Sequence, residues 1–269
     1  MSSPTHLEIL EAGVGAWNTW RTDHPDIQPN LSGVELKERD LAGINLSHTL
    51  LRGAELGGCD LQDADLSSAD LEEGNLPSAY LGNADLQGAL LKGARIMGSY
   101  LEGADFCGAN LEGADLSSAY LGQTQFQSAR LRGANLRSAH LGGADLRGAD
   151  FWGANLQASN LSAADLRQAN LRTTELQSSN LSGANLQGAR LTLANLRRAN
   201  LNGSDLRQAN LRAAYLEEAN LRGADFSGAN LSGSHCEGAD LEGAIFRGAN
   251  LNNAFLRLDP EETLRQEVG

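Results

Sequence analysis

The chain is poor in aromatic residues, cysteine and basic charge, and it has no long apolar run. Aromatics make up 5% of its 269 residues, so a core of large rings is not available. Three cysteines, Cys59, Cys107 and Cys236, are too few for a disulfide framework and fit a reducing cytoplasm. Nothing in the sequence approaches the ~18 consecutive apolar residues that a transmembrane helix requires. Met1-Ser2-Ser3-Pro4 runs straight into polar residues, without the basic segment and apolar core of a secretion signal. The 21 Lys and Arg are outnumbered by 34 Asp and Glu, for a net charge of −13. That balance argues against general affinity for nucleic acid or anionic lipid. Glycine is abundant, at 31 residues, but it follows no Gly-X-Y period, which excludes collagen.

What the chain does have is a repeat. From Leu31 to Leu256 every fifth residue is apolar, giving 46 positions in one register without insertion or deletion. Thirty-nine are Leu, and the rest are Ile96, Phe106, Phe126, Phe151, Phe226, Phe246 and Cys236. Two residues before each stands a small residue, Ala in 32 cases, except in the irregular first units with Pro29, Val34, Arg39 and Ile44, and the residue between is Asp or Asn in 29. Two residues after the Leu, 23 positions are Gly. The unit reads A-(D/N)-L-x-G. In extended chain the small residue and the Leu point to one side and the Asp or Asn to the other. The remaining two residues must turn the chain, and Gly suits a turn position with positive φ. An inward pair followed by a corner, repeated, winds a coil.

The number of units per coil is legible as a second period. Tyr80, Tyr100, Tyr120 and His140 share a slot at 20-residue intervals, and Phe106 with Phe126 and Phe226 with Phe246 are inward pairs at the same spacing. Asp65, Asp85, Asp105, Asp145, Asp165, Asp205 and Asp225 lie on the same grid. Stacking like on like is what parallel coils favour. Four units per turn make a square cross-section, and about 11.5 coils at ~4.8 Å give a rod ~55 Å long. With 46 consecutive units over residues 30–258, the chain resembles the pentapeptide-repeat proteins. That resemblance implies an all-β solenoid, a right-handed quadrilateral parallel β-helix.

A solenoid needs caps. Ser3-Pro4 reads as a helix start, and Leu7, Leu10, Val14 and Trp17 form an amphipathic stripe. Residues 1–29 are therefore read as a capping helix over 4–21, weakened at Gly13 and Gly15, with a connector containing Pro25 and Pro29. Residues 259–269 read as a short C-terminal cap, with Leu264 and Val268 facing the last coil.

No phosphate loop, zinc spacing or nucleophile motif is present, and the five His are scattered. No catalytic, cofactor or metal residue is expected, and the chain reads as a non-enzyme. The Asp65-Asp85-Asp105 ladder has two readings: closely spaced carboxylates holding a cation, or side chains bonding corner amides. The Tyr80-Tyr100-Tyr120-His140 column also has two: an exposed contact stripe, or ring stacking that stiffens the rod. Trp152, placed on a neighbouring face, would extend such a contact, and Cys107 reads as an outward free thiol. Residues 31–128 are acidic, with 5 Lys/Arg against 15 Asp/Glu, whereas 129–258 carry 14 against 11.

Three functions compete. The first is a non-catalytic protein-interaction or scaffold rod in the cytoplasm, a monomer or weak homodimer with an unidentified protein partner. The second comes from the resemblance: some pentapeptide-repeat proteins protect DNA gyrase and are thought to mimic duplex DNA by shape and charge. Here only the first half is acidic, and no loop breaks the coil. The third, nucleic-acid binding through the Arg-bearing second half, is weak with Asp and Glu interleaved.

Overall fold

The structure, a computed structural model, describes residues 5–256. From Asn30 to Phe255 it is a continuous set of parallel β-bridges between residues 20 apart, beginning Asn30 with Leu50 and Glu35 with Glu55 and ending His235 with Phe255. Each five-residue unit contributes one bridge position. Four units therefore close one turn of chain, and four columns of bridges run its length. Tyr80, Tyr100 and Tyr120 are consecutive in one column, as the 20-residue period predicts.

One unit shows how the coil is held. The Leu131 amide donates to the Asp150 carbonyl of the next turn at 2.7 Å, and the Gly133 amide to the Trp152 carbonyl at 3.0 Å. The Ala134 amide closes the corner on the Leu131 carbonyl at 3.1 Å, and the Asn135 amide reaches down to the Ala114 carbonyl at 2.9 Å. The fifth amide, directly after each apolar residue, has no backbone acceptor. Where Asp or Asn precedes that apolar residue, its side chain commonly takes the bond: Asn155 Oδ1 accepts the Gln157 amide at 3.0 Å. This explains the Asp/Asn slot, because an uncompensated amide beside the chain costs free energy.

The corner itself is left-handed. At every position from Gly33 to Asn253 the residue two past the apolar one has φ between 53° and 73°, and 22 of these residues are not glycine. The sequence offered Gly at only half of them. The others tolerate the strain because the corner amide is bonded in the inter-turn ladder. Thr173, with φ 54°, is the costliest type, being β-branched.

Inward, Leu and Ala fill the coil with almost no exposure. Phe106 stacks on Phe126 at 4.7 Å and Phe226 on Phe246 at 5.0 Å between ring centroids. Where Ser or Thr replaces the small Ala, its hydroxyl donates to a carbonyl at every such position except Ser234, which meets the Cys236 sulfur: Thr124 to Leu121 at 2.7 Å, Ser99 to Leu76 at 2.6 Å and Thr174 to Phe151 at 2.9 Å. Buried hydroxyls are thereby satisfied without widening the core.

At the N-terminal end the expected single helix is divided. Helix α1 spans His6–Glu11 and α2 spans Val14–Asp23, separated at Gly13, whose φ of 102° no helix can hold. Thr5 and Glu8 form a reciprocal capping box on α1. Ser3 and Pro4 lie outside the described residues, as does the expected cap at 259–269. Side chains of α2 then do what a preceding turn would do. One turn up the same face, the Asp65 carbonyl accepts from the Leu46 amide, the Ser67 carbonyl from the His48 amide, and the Asp65 amide donates to the Ile44 carbonyl. At the end of the coil the Asn45 carbonyl takes Trp17 Nε1–H at 2.7 Å, the Ser47 carbonyl takes Arg21 Nη2 at 2.8 Å, and the Asn45 amide donates to Asn18 Oδ1 at 2.8 Å. Trp17 is fully buried and Arg21 nearly so.

Two outcomes follow from these contacts. Thr173→Gly should raise stability by about 1 kcal/mol, because relief of left-handed strain exceeds the entropy cost of glycine; denaturant melts measure it. Trp17→Ala with Arg21→Ala should lower stability by about 3–5 kcal/mol and open the first coil edge to self-association. Gel filtration and amide exchange at Asn45–His48 check this, and a rod that stays monomeric with unchanged exchange would show that α2 is not a cap.

Candidate functional site

The most unusual surface lies on the column through residue 80. Tyr80, Tyr100, Tyr120 and His140 stack with centroid separations of 5.0, 4.9 and 5.0 Å and interplanar angles of 12° or less. The bridge ladder sets this spacing, since each ring stands one turn above the last. The three tyrosines are 39–45% exposed, and the other exposed large apolar residues, such as Trp152, Leu193 and Phe255, do not form a column of this length. Beside them the residue after the apolar position is Gly82, Gly122 or Gly142, and the missing side chains leave a trough of about 310 Å³ lined by Asn83, Glu102, Gly103, Gly122, Gln123 and Gly142.

Above His140 the same column becomes a neutral asparagine ladder. Asn180 donates to Asn160, Asn200 to Asn180 and Asn220 to Asn200 through Nδ2, at 3.1–3.3 Å. From Tyr80 to Asn220 this face presents rings, amides and small residues, with Glu102 the one charge directly beside the rings.

Asp65, Asp85 and Asp105 do form one column, and each carboxylate takes the backbone amide two residues on: Ser67 at 3.0 Å, Gln87 at 2.9 Å and Cys107 at 2.8 Å. Ser67 Oγ also donates to Asp65, and Gln87 Nε2 to Asp105. This is the corner-bonding geometry expected of the Asx slot. The Cys107 thiol donates to Gln127 Oε1 at 2.7 Å, and partial burial, then Asp105, pushes its pKa up to about 11. It is a neutral thiol at physiological pH, not a reactive thiolate.

Trp152 requires a correction. Its unit pairs with Arg130 below and Asn170 above, two columns away from the tyrosines. Two of four columns is the opposite face, not a neighbouring one, so Trp152 does not extend the tyrosine stripe. Trp152 follows His140 by 12 residues, which puts it in the second unit after it and not the first.

The sequence reading also passed over a second ring column, Tyr215-His235-Phe255, with separations of 5.3 and 4.9 Å. Its 20-residue spacing was available as a signal. Beside it Glu217, His235 and Glu237 bring three ligand-type atoms within 4.8 Å of one another. Arg197 already holds Glu217 at 2.8 Å and lies over the Tyr215 ring, so a cation is in place there without a metal.

With this geometry described, comparison with known proteins is decisive for the family. The family model for pentapeptide repeats matches in overlapping stretches that together run from residue 30 to 258. The chain belongs to the pentapeptide-repeat family. Among solved structures it is similar to HetL, a pentapeptide-repeat protein involved in heterocyst differentiation regulation from the cyanobacterium Nostoc, at 32% identity over 88% of this chain and 95% of that one, with a TM-score of 0.29. Rfr23 from the cyanobacterium Cyanothece is 38% identical over 35% of this chain and 64% of its own, short of two thirds of that protein, with a TM-score of 0.34. QnrB1, a plasmid-mediated fluoroquinolone resistance protein, is 24% identical over 79% of this chain and 93% of its own, with a TM-score of 0.48. No curated protein matches. No helix among the described residues is long and apolar enough to cross a membrane.

In this pentapeptide-repeat protein the acidic column changes character along its length. Arg147, Arg167 and Arg207 fold back on Asp145, Asp165 and Asp205, each at 2.6 Å. The Arg147 hydrogen bonds hold Asp145 below the usual carboxylate range, and those of Arg207 do the same for Asp205. A depressed folded-state pKa contributes stability that is present above the unfolded value and lost as pH falls through the folded one. Melting temperature should therefore drop as pH falls below ~4, and Arg147→Gln with Arg207→Gln should lessen that drop. A pH series of thermal melts on the two proteins measures the difference; parallel curves would refute the coupling.

Proposed function

We propose that this protein is a non-catalytic protein-interaction rod in the cytoplasm, a right-handed four-sided solenoid whose contact face is the Tyr80-Tyr100-Tyr120-His140 column. One observation carries the reading: four aromatic rings lie stacked, in register and exposed, on a face nearly free of charge. Aromatic residues held in fixed positions supply contact area at little entropy cost, and such anchors often dominate an interface. The glycine trough beside them gives an incoming side chain somewhere to seat. Pentapeptide-repeat proteins are generally structural or interaction proteins, which supports the reading.

A second reading is a DNA-mimicking protein that binds and protects gyrase. It is favoured by the Asp65-Asp85-Asp105 column, which has no direct ion pair among the described residues, Arg21 acting on Asp65 only through space, while the corresponding column of the second half is paired with arginine. Carboxylates at a regular ~4.8 Å are more widely spaced than the ~3.4 Å per charge of one nucleic-acid strand, so the likeness is a periodic line of negative charge and not a matched interval.

Tyr80→Ala/Tyr100→Ala/Tyr120→Ala should fold with a modest loss of stability, because the rings lie outside the Leu core. It should also lose partners that the wild type retains in quantitative capture from its native lysate, by ~10-fold or more for an anchor-dominated contact. Equal retention by both rods would leave the stripe architectural. In parallel, wild-type protection of gyrase supercoiling against a quinolone, abolished by Asp65→Asn/Asp85→Asn/Asp105→Asn and kept by the tyrosine variant, would establish the second reading in place of the first.

A further inference from the structure

The face opposite the tyrosines carries the reverse of the molecule's overall charge. Over the five turns from residue 130 to residue 213 it presents Arg130, Arg132, Arg172, Arg190 and Arg212, all exposed, against a single carboxylate, Asp150. Asp150 is already spent: it takes Arg132 Nε at 2.5 Å, Asn170 Nδ2 at 2.7 Å and the Trp152 amide at 3.2 Å. Arg130, Arg172, Arg190 and Arg212 have no ion-pair partner among the described residues; on the two adjacent faces over the same turns Arg147, Arg167, Arg197 and Arg207 do, and Arg137 alone does not. In a chain of net charge −13, four unneutralised arginines on one face are a local inversion of the field.

Backbone donors add to it. The amides of Arg132 and Thr192, each directly after an apolar residue and without a backbone acceptor, follow slots occupied by Arg130 and Arg190, which have no acceptor to offer. Asn170, turned toward Asp150, leaves the Arg172 amide uncapped and its own Oδ1 buried without a donor. In the middle of the patch stands Trp152, 51% exposed, with Arg132 5.6 Å from its ring centre. Arg132, Trp152, Asn170 and Arg172 enclose a hollow of about 260 Å³.

We infer that this face is a second docking surface, which takes an extended acidic segment of a partner protein along the rod axis. The chemistry that recognises it is carboxylate on guanidinium, with Trp152 receiving an apolar side chain between two charged ones. The length is matched as well. Four steps from Arg130 to Arg212 at ~4.8 Å cover ~19 Å, which is about six residues of extended chain. A duplex would need more phosphate contacts than this patch supplies for stable binding, and it would meet the surplus negative charge of the other faces. The two docking faces are independent, because they are on opposite sides of a rigid core, and together they allow the rod to bridge two partners.

The test uses the full chain and a fluorescein-labelled peptide of about eight residues, alternating glutamate and serine with one central leucine, read by anisotropy. The wild type is expected to bind, and to bind more weakly as salt rises. Arg172→Glu/Arg190→Glu/Arg212→Glu is expected to lose ~10-fold or more in affinity. The single Arg190→Gln provides a milder loss should the triple reversal fail to melt cooperatively. Trp152→Ala is expected to weaken the leucine-bearing peptide and leave an all-polar version unchanged. The triple tyrosine variant is expected to bind the peptide as the wild type does, which separates this face from the one proposed above. No binding by the wild type, or equal binding by the arginine variants, overturns the proposal. So does tighter binding of a ~16-base-pair duplex than of the peptide at the same salt.

Discussion

The inter-turn amide ladder is the interaction from which the rest of the molecule follows. Each turn is tied to the next by two amides pointing one way and one pointing back in every unit, at distances near 2.7–3.0 Å. Such a ladder has no slack in register, so a residue always meets the residue 20 positions away. Every outward surface is therefore a set of columns, and each column is a list of side chains held one turn apart. Tyrosine rings stack, asparagine amides chain together and a carboxylate meets an arginine one turn away, as Glu217 meets Arg197, because the backbone sets them side by side.

The same ladder accounts for the tolerance of the corners. A left-handed residue other than glycine costs ~1–2 kcal/mol in isolation, and 22 such residues occur here. From Gly33 to Gly233 each corner amide is bonded to the next turn, so a right-handed alternative would break a bond on both sides of the corner. Strain at any one corner is overruled by cooperation along the column, which is how Thr173 and Leu193 come to occupy a position suited to glycine.

Much of this was legible in the sequence, and its limits are instructive. The five-residue period fixed which side chains face inward, and the 20-residue recurrence of Tyr80, Tyr100 and Tyr120 fixed the number of units per turn. Of the two readings of the Asp65-Asp85-Asp105 ladder, a cation site or side chains bonding the corner, Asp65 and Asp85 show the bonding of the second. Trp152 was misplaced although the period already contained the answer: it is 12 residues beyond His140, hence in the second unit after it. The N-terminal substitution of Trp17, Asn18 and Arg21 for a missing turn could not be read from sequence. It depends on where three side chains of a helix meet carbonyls and an amide 26 to 28 residues away, and no local pattern encodes that. The break at Gly13 was only half visible, because glycine lowers helix propensity at two positions and the structure uses one of them.

A ladder of this kind also decides what sort of recognition the molecule can support. There is no domain hinge and no loop longer than a corner between Asn30 and Phe255, so nothing on these faces closes around a ligand or assembles on binding. Affinity must come from side chains already in place. Stacked rings satisfy that condition, since each tyrosine is confined by the ring above or below it and has little rotamer freedom left to lose. Arginines without partners do not, since each must give up its own freedom on contact, and their advantage is charge felt at a distance. The two faces therefore differ in kind: one is preorganised for short-range packing, and the other is suited to steering an oppositely charged chain. The core is common to both, yet it transmits nothing between them, because Leu and Ala packed at full burial have only one arrangement to adopt.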